Sequence, residues 1–202
     1  NKVFAYQGNQ IFLITFILLA ALQIHIHSKN QDLLPRNGSS SPRTEAAGLA
    51  RQYAIKFLLK QLLLYVVFYI IDHVFIWTGG VCSISKTRSA ERCRVLGGSW
   101  EGGFDISGHF CFLTNVSLIL WYELYHCQKY ISDNELRVNR KFAWIKYLTL
   151  FVLAMWLFVL SVTATYYHTV GEKVLGLVMG YTCPTVMYIL IPSTTKLNKL
   201  MY

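Results

Sequence analysis

The feature that most constrains this chain is a series of apolar blocks, each long enough to cross a lipid bilayer as a helix. A transmembrane helix needs roughly 17–25 mostly apolar residues to span about 30 Å of hydrocarbon. More than half of the 202 residues are hydrophobic. We therefore predict an all-α fold, a polytopic membrane bundle that forms a single domain over residues 1–202. Its five transmembrane helices are predicted at residues 3–26, 54–77, 106–125, 142–163 and 174–191.

The connections between the blocks differ in composition. The first contains residues 37–42, whose Gly, Ser and Pro residues favour a loop. The second, residues 78–104, contains three glycine pairs and two cysteines. The chain begins with Asn rather than Met, and no cleavable signal pattern closes the first block, so we expect a fragment or a processed form.

Lysine and arginine residues predict the orientation of the bundle. The formal net charge of +9 is carried mainly by the connections, which fits membrane orientation better than binding to nucleic acid. Because cytoplasmic loops carry the excess of positive charge, we predict a cytosolic C-terminus and a non-cytoplasmic loop at residues 78–104. Twelve basic residues flank the predicted cytoplasmic side: Lys29, Arg36, Arg43, Arg51, Lys56, Lys129, Arg137, Arg140, Lys141, Lys146, Lys196 and Lys199. Six flank the other side: Lys2, Lys86, Arg88, Arg92, Arg94 and Lys173.

The cysteines are distributed in agreement with this orientation. Cys82 and Cys93 share the non-cytoplasmic loop, where an oxidising compartment favours a disulfide. Two free thiols are the alternative. The remaining cysteines lie in or beside apolar blocks and are expected to be small buried hydrophobic residues: Cys111, Cys127 and Cys183.

A polar motif joins the loop to the third block and reads Trp100-Glu101-Gly102-Gly103-Phe104-Asp105-Ile106-Ser107-Gly108-His109. It is predicted to place the Asp105 carboxylate, the Ser107 hydroxyl and the His109 imidazole on the first turn of a helix. Asp105 and His109 are four residues apart and would share one helix face. Ionisable groups in a membrane helix are costly and suggest function. The alternative is that Asp105 and Ser107 only cap the helix while His109 lies at the membrane interface.

A second motif precedes the fifth block on the same predicted membrane face. His168 and Glu172 are four residues apart, so the carboxylate is predicted to orient the imidazole and raise its basicity. Gly176 and Gly180 follow on that face, a spacing that lets a neighbouring helix approach closely. We expect that neighbour to be the third block, which would bring His109 towards His168. Simple packing of the glycines and a solvated loop for the His–Glu pair are the alternatives.

Two histidines, one of them paired with a carboxylate, suit phosphoryl chemistry when cations lie nearby. One imidazole attacks phosphorus, the other protonates the leaving oxygen, and positive charge stabilises the remaining phosphate oxygens. The candidate phosphate-binding residues are Lys173, Arg92 and Arg94, with Arg88 also in the loop. A solvated basic loop without a ligand is the alternative for each arginine. No metal-ligand spacing and no nucleotide-binding glycine motif stands out, so we expect neither a metal nor a cofactor.

The run from Gly102 to Leu113, with its Asp-Ile-Ser-Gly-His string, resembles the signature of the fat storage-inducing transmembrane (FIT) proteins. The resemblance extends upstream through Asp72-His73-Val74-Phe75-Ile76-Trp77-Thr78-Gly79-Gly80-Val81-Cys82, Cys93 and Trp100. Downstream it covers residues 167–173 and Gly176. The chain looks most similar to the fungal, yeast-type branch of the family.

This resemblance implies an endoplasmic-reticulum membrane protein of six spanning helices with both termini in the cytosol. The family's first helix would then precede Asn1. The implied activity is that of a fatty acyl-coenzyme A diphosphatase, which yields acyl 4′-phosphopantetheine and adenosine 3′,5′-bisphosphate at a lumenal site. Its catalytic histidines fall on His109 and His168. The implied roles are lipid-droplet formation, phospholipid balance and normal membrane structure, with membrane lipids such as triacylglycerol and diacylglycerol as further partners.

The FIT signature is in turn similar to that of the lipid phosphate phosphatases, although the match is partial. Ser107-Gly108-His109 fits the motif whose histidine protonates the leaving group. A second motif aligns Ser161-Val162 with Ser-Arg, His168 with its histidine and Glu172 with its aspartate. Valine at the arginine position removes a phosphate clamp, and Lys173 is the predicted replacement.

Two other functions remain open from the residues alone. One is a non-catalytic protein that binds neutral lipid and partitions it within the bilayer. The other is a transporter in which protons pass along Asp72, His73, Asp105 and His109. A glycosylation sequon at Asn37 lies on the predicted cytosolic side and is expected to carry no glycan.

Overall fold

The computed structural model describes residues 2–31, 42–88, 90–137 and 140–194. Five long helices dominate it: α1 (Lys2–Gln31), α2 (Pro42–Trp77), α4 (Gly108–Asp133), α5 (Arg140–Tyr166) and α6 (Val170–Thr185). The first linker with its sequon, and the basic residues Lys196 and Lys199, lie outside the described residues. The predicted all-helical bundle is confirmed, with a small hairpin in one connection.

Four helical stretches are long and apolar enough to cross a membrane, with mean hydropathies between 1.8 and 2.2. They are Gln7–Lys29, Ala46–Trp77, Arg140–Tyr166 and Val170–Ser193. Helix α4, the predicted third span, is not among them, because polar groups such as Asn115 and Glu123 lie along its buried face. Its 26 residues correspond to about 39 Å, ample to cross a bilayer. Four of the five predicted spans are thus supported, and α4 as a fifth stays a prediction.

Helix α4 lies at the centre of the bundle. Residues 110–116 are all buried, and the helix packs against α1, α5 and α6. The main core is formed by large apolar side chains from these helices and from the segment that follows α6, including Phe12, Leu113, Ile119, Trp156 and Met187. A helix surrounded on several sides has no need for a continuous lipid-facing apolar surface, which explains why α4 tolerates polar residues.

Two helix boundaries differ from those expected from the apolar blocks. Helix α2 begins at Pro42 rather than near Ala54, because the intervening residues include good helix formers and proline suits a first helical position. Helix α6 contains Pro184, which has no N–H to donate, and continues as a π-helical segment, Val186–Leu190, and a short α7, Ile191–Ser193.

The connection between α2 and α4 is folded around a disulfide. It contains the short helix α3 (Ala90–Val95) and an antiparallel pair of strands, β1 (Val81–Cys82) and β2 (Trp100–Glu101). Cys82 and Cys93 are bonded, as predicted. The other three cysteines are free and buried, also as predicted: Cys111, Cys127 and Cys183.

A fully buried carboxylate joins three elements deep in the bundle. Glu123 is 0% exposed, and its Oε1 lies 2.8 Å from Lys56 Nζ and 2.6 Å from the donating hydroxyl of Tyr188. The Tyr53 hydroxyl donates to Oε2 at 2.8 Å, and Gln23 Nε2 donates to the Glu123 carbonyl at 3.2 Å. We call these five residues the Glu123 cluster. Lys56, expected from the sequence to flank a cytoplasmic loop, is instead an internal partner of α4.

Candidate active site

The start of α4 positions the first predicted motif. Ser107 is buried and caps the helix, with its hydroxyl accepting a hydrogen bond from the Phe110 N–H at 3.4 Å. The helix therefore begins at Gly108. The prediction that Asp105 and His109 share a helix face is wrong, because Asp105 lies before the cap. The capping alternative holds for Ser107, whereas the Asp105 side chain points elsewhere.

The start of α6 is built by a capping box that was not predicted from the sequence. The Thr169 N–H donates to Glu172 Oε2 at 2.7 Å, and the Glu172 N–H donates to the Thr169 hydroxyl at 3.5 Å. The Thr-x-x-Glu spacing is a known signal for this arrangement. His168 precedes the cap with φ of +64°, a left-handed conformation that is uncommon for residues other than glycine. The turn projects the imidazole back towards Glu172.

The His168 ring faces two carboxylates through one nitrogen. Its Nδ1 lies 3.6 Å from Glu172 Oε2 and 4.0 Å from Asp105 Oδ2. The predicted His168–Glu172 contact is confirmed, although it spans a helix cap instead of a regular helical turn. The contact with Asp105 was not predicted, because it depends on how the two helix starts are placed side by side. With Nδ1 on the carboxylate side, Nε2 is the nitrogen on the opposite edge of the ring.

Glu172 also holds the motif that precedes α4. Its Oε1 accepts a hydrogen bond from the Asp105 N–H at 3.2 Å, and its backbone carbonyl accepts one from the Ser107 N–H at 3.1 Å. The Glu172 side chain is 14% exposed, while that of Asp105 is 51% exposed. One residue thus fixes the cap of α6, the backbone before α4 and the His168 ring.

Two glycines allow α4 and α6 to approach closely, as predicted. A Cβ atom at Gly176 would lie 2.5 Å from the Ser107 carbonyl oxygen, and one at Gly180 would lie 2.7 Å from the Cys111 carbonyl oxygen. Helix backbones this close leave no room for a side chain at either position. The contact lies next to both helix starts and places them side by side.

His109 lies on the first turn of α4, half-buried, and interacts electrostatically with His168 and with Arg94. Arg94 also interacts with Asp105. Burial raises the pKa of Asp105, an effect that the neighbouring His168 and Arg94 oppose and Glu172 reinforces. His109, His168, Asp105, Glu172 and Arg94 therefore form one electrostatic unit, which we call the histidine site.

The other predicted cations are placed differently. Lys173 Nζ donates to the Ala164 carbonyl at 2.6 Å, so its ammonium group binds the last turns of α5. Arg92 is exposed on α3, and its role in phosphate binding stays a prediction. Among the residues of the predicted proton pathway, His73 contacts its own helix through the Tyr69 carbonyl, 2.8 Å from Nδ1.

The arrangement has the elements needed for reaction at an anionic group. An imidazole oriented by carboxylates is a base or nucleophile, a second imidazole can exchange protons, and a guanidinium stabilises negative charge. The N-terminus of α4 adds partial positive charge at the same place.

Comparison with known proteins identifies the family. The model of the family described as fat storage-inducing transmembrane protein matches residues 10–143 and 126–188, which include both histidines. The chain belongs to the FIT family. Within the family, this FIT chain is 43% identical to the acyl-coenzyme A diphosphatase YFT2 of Saccharomyces cerevisiae, over 100% of its own length and 81% of the yeast protein. The predicted resemblance to the fungal branch is thereby confirmed.

Two further relatives of the FIT chain match over shorter regions. The acyl-coenzyme A diphosphatase fit1 of Schizosaccharomyces pombe is 33% identical over 59% of the FIT chain and 48% of fit1. The acyl-coenzyme A diphosphatase FITM2 of Mus musculus is 30% identical over 46% of the FIT chain and 35% of FITM2. No solved structure matches the FIT chain.

Proposed function

We propose that this FIT chain is an acyl-coenzyme A diphosphatase, a hydrolase that acts on an acid anhydride. Its substrate would be a fatty acyl-CoA, cleaved at the phosphoanhydride to acyl 4′-phosphopantetheine and adenosine 3′,5′-bisphosphate. The names of the relatives support this reaction. The observation that carries it is the pair of carboxylates on Nδ1 of His168, beside a second histidine on a neighbouring helix.

In the proposed first step, Nε2 of His168 attacks one of the two anhydride phosphorus atoms. A P–N bond forms, the bridging P–O bond breaks, and its electron pair passes to the leaving phosphate oxygen, which takes a proton from His109. Asp105 and Glu172 stabilise the positive charge that develops on His168. Glu172 lies 3.6 Å and Asp105 4.0 Å from Nδ1. Catalytic contacts of this length in a protein without substrate often shorten when the substrate binds.

In the proposed second step, water attacks the phosphorus atom of the adduct. His109 now accepts a proton from this water, the P–N bond breaks, and His168 returns to its starting form. Arg94 and the N-terminus of α4 would stabilise charge on the phosphate oxygens in both steps. Arg92, which is exposed on α3, would assist them. Lys173 would join them only after leaving the Ala164 carbonyl.

We further propose an endoplasmic-reticulum location, with α4 as a fifth span, the histidine site facing the lumen and the C-terminus in the cytosol. The distribution of lysine and arginine supports this orientation. The Cys82–Cys93 disulfide supports an oxidising compartment on the side of the histidine site. A role in lipid-droplet formation and phospholipid balance, with neutral membrane lipids as partners, is part of the same proposal.

The test is hydrolysis of a long-chain acyl-CoA by purified protein, with both products separated by chromatography. We expect His168→Ala and His109→Ala each to lower kcat by roughly 10²–10⁴-fold or more while the protein still folds and inserts. His25→Ala, an exposed histidine on α1, is the matched control and should retain activity. If both site variants hydrolyse acyl-CoA normally, a non-catalytic lipid-binding function replaces this proposal.

A further inference from the structure

A cavity lies at the end of the bundle opposite to the histidine site. It has a volume of about 490 Å³ and lies between the C-terminal turns of α4 and the first turns of α5. This volume falls within the range of small-molecule sites. Apolar side chains from Ile131, Leu136 and Phe142 form part of its wall, and Gln128, Ser132 and Lys146 contribute polar groups.

The position of the cavity along α4 separates it from the catalytic machinery. Gln128 and Ser132 are 19 and 23 residues beyond His109, which corresponds to about 28–35 Å along the helix. Trp144 and Tyr147, on the first turns of α5, are 69% and 67% exposed. Exposed tryptophan and tyrosine at a helix end mark the depth of the lipid headgroups. The cavity therefore opens at headgroup depth on the far side of the membrane from the histidines.

The charge around the cavity is positive. Between residues 129 and 146 there are five basic and two acidic side chains, a net charge of +3: Lys129, Arg137, Arg140, Lys141 and Lys146 against Asp133 and Glu135. Lys146 lies in the cavity wall and, within the part of the chain that the structure describes, makes no ion pair. Glu135 is the acid in the wall. An ammonium group beside an apolar wall at headgroup depth is suited to a phosphate group attached to acyl chains.

We propose that this cavity binds the headgroup of an anionic glycerophospholipid. The lipid phosphate would lie at Lys146, with Gln128 and Ser132 as hydrogen-bond donors, and the start of an acyl chain would follow Ile131 and Phe142. Glu135 would oppose the phosphate and limit the affinity. The site uses none of the residues assigned to hydrolysis, and its occupant is a bilayer lipid that is not hydrolysed.

The test is a titration of the purified full chain in detergent micelles with fluorescent-tailed phosphatidylserine and, separately, phosphatidylcholine. We expect tighter binding of phosphatidylserine. Lys146→Gln should weaken it by about fivefold. Lys129→Gln makes the same charge change outside the wall, on an exposed residue, and should change affinity by less than about twofold. Glu135→Gln, at an exposed loop position, should tighten binding.

Two competitors distinguish the possible sources of the phosphate. Glycerol 3-phosphate should compete poorly, because it lacks the acyl chain, and a non-hydrolysable acyl-CoA analogue should compete no better than phosphatidylcholine. Equal binding of the two phospholipids, or equal effects of the Lys146 and Lys129 variants, would overturn the proposal. Strong competition by glycerol 3-phosphate or by the acyl-CoA analogue would also overturn it, in favour of a soluble phosphate ligand or a substrate-docking site.

Discussion

The Glu123 cluster and the histidine site are two polar clusters that both include residues of α4, and they lie about 21 Å apart along this helix. Each contains a carboxylate and a basic side chain. The histidine site joins the start of α4 to α6, and the Glu123 cluster joins α4 to the π-helical segment that follows α6. In the Glu123 cluster the charged atoms are 2.8 Å apart and the carboxylate is 0% exposed. In the histidine site the equivalent distances are 3.6 and 4.0 Å, and Asp105 is half-exposed.

The difference separates a structural cluster from the proposed reactive site. Every carboxylate oxygen of Glu123 has a close donor, from Lys56, Tyr53 or Tyr188, so the cluster has no position for a ligand. The histidine site has charged groups in longer contacts, and its Asp105 carboxylate is half-exposed, so a substrate can complete its interactions. Removing one partner of a buried, fully hydrogen-bonded ion pair lowers the free energy of unfolding strongly, because the other charge is left buried alone. Substitutions at a reactive site change the free energy of unfolding much less.

The largest expected effect on stability is in the Glu123 cluster. Glu123→Ala leaves the Lys56 ammonium buried without its counter-charge, which should cost about 3–5 kcal/mol of unfolding free energy. The measurement is denaturant or thermal unfolding of the purified protein in detergent. Glu135→Ala removes an exposed carboxylate near the end of the same helix and should change stability by less than about 0.5 kcal/mol. If the two variants have similar free energies of unfolding, the Glu123 cluster has no structural role.

A smaller effect is expected where α4 and α6 approach each other. Gly176→Ala places a Cβ atom 2.5 Å from the Ser107 carbonyl oxygen, so the helices must separate at a cost of about 1–3 kcal/mol. Gly48→Ala on α2 meets no atom within 4 Å and should stabilise the protein by roughly 0.5–1 kcal/mol. Because Ser107 precedes His109, Gly176→Ala should also lower kcat. An unchanged kcat would show that the close packing of α4 and α6 is not needed for the geometry of the histidine site.

The smallest expected effect is a change in pH dependence. Burial raises the pKa of Asp105, so activity that needs its carboxylate should fall as pH drops through that raised value. Asp105→Asn cannot be protonated, and this part of the acid limb of the kcat profile should disappear. Because the pKa of Asp105 is higher in the folded than in the unfolded protein, its contribution to the free energy of unfolding is present at low pH. This contribution is lost as the pH rises through the pKa of the folded state. Asp105→Asn should therefore be slightly more stable than the parent protein at neutral pH, and an unchanged pH profile would exclude Asp105 from the reaction.

The close approach of α4 and α6 was predictable from sequence because it depends on local spacing. Gly176 and Gly180 are four residues apart, and His168 and Glu172 have the same separation. Cys82 and Cys93 share one loop, so their pairing also followed from position along the chain. Each of these spacings lies within one segment of the chain.

The Glu123 cluster could not be predicted, because its members come from four distant parts of the chain and are brought together by packing. Lys56 was therefore misread as part of a cytoplasmic flank. The approach of Asp105 to His168 depends in the same way on two helix starts lying side by side. The start of α4 was placed too early because an apolar Ile106 follows Asp105, whereas the Ser107 cap decides where the helix begins.

In the proposed reaction, two imidazoles from different helices act on one phosphate with different roles. A direct test uses a p-nitrophenyl ester of acyl 4′-phosphopantetheine, whose leaving group needs no proton. We expect His109→Ala to release a burst of nitrophenolate close to that of the parent protein, and His168→Ala to release none. Equal loss in both variants with this substrate, or a burst from His168→Ala, would rule out separate roles for the two histidines.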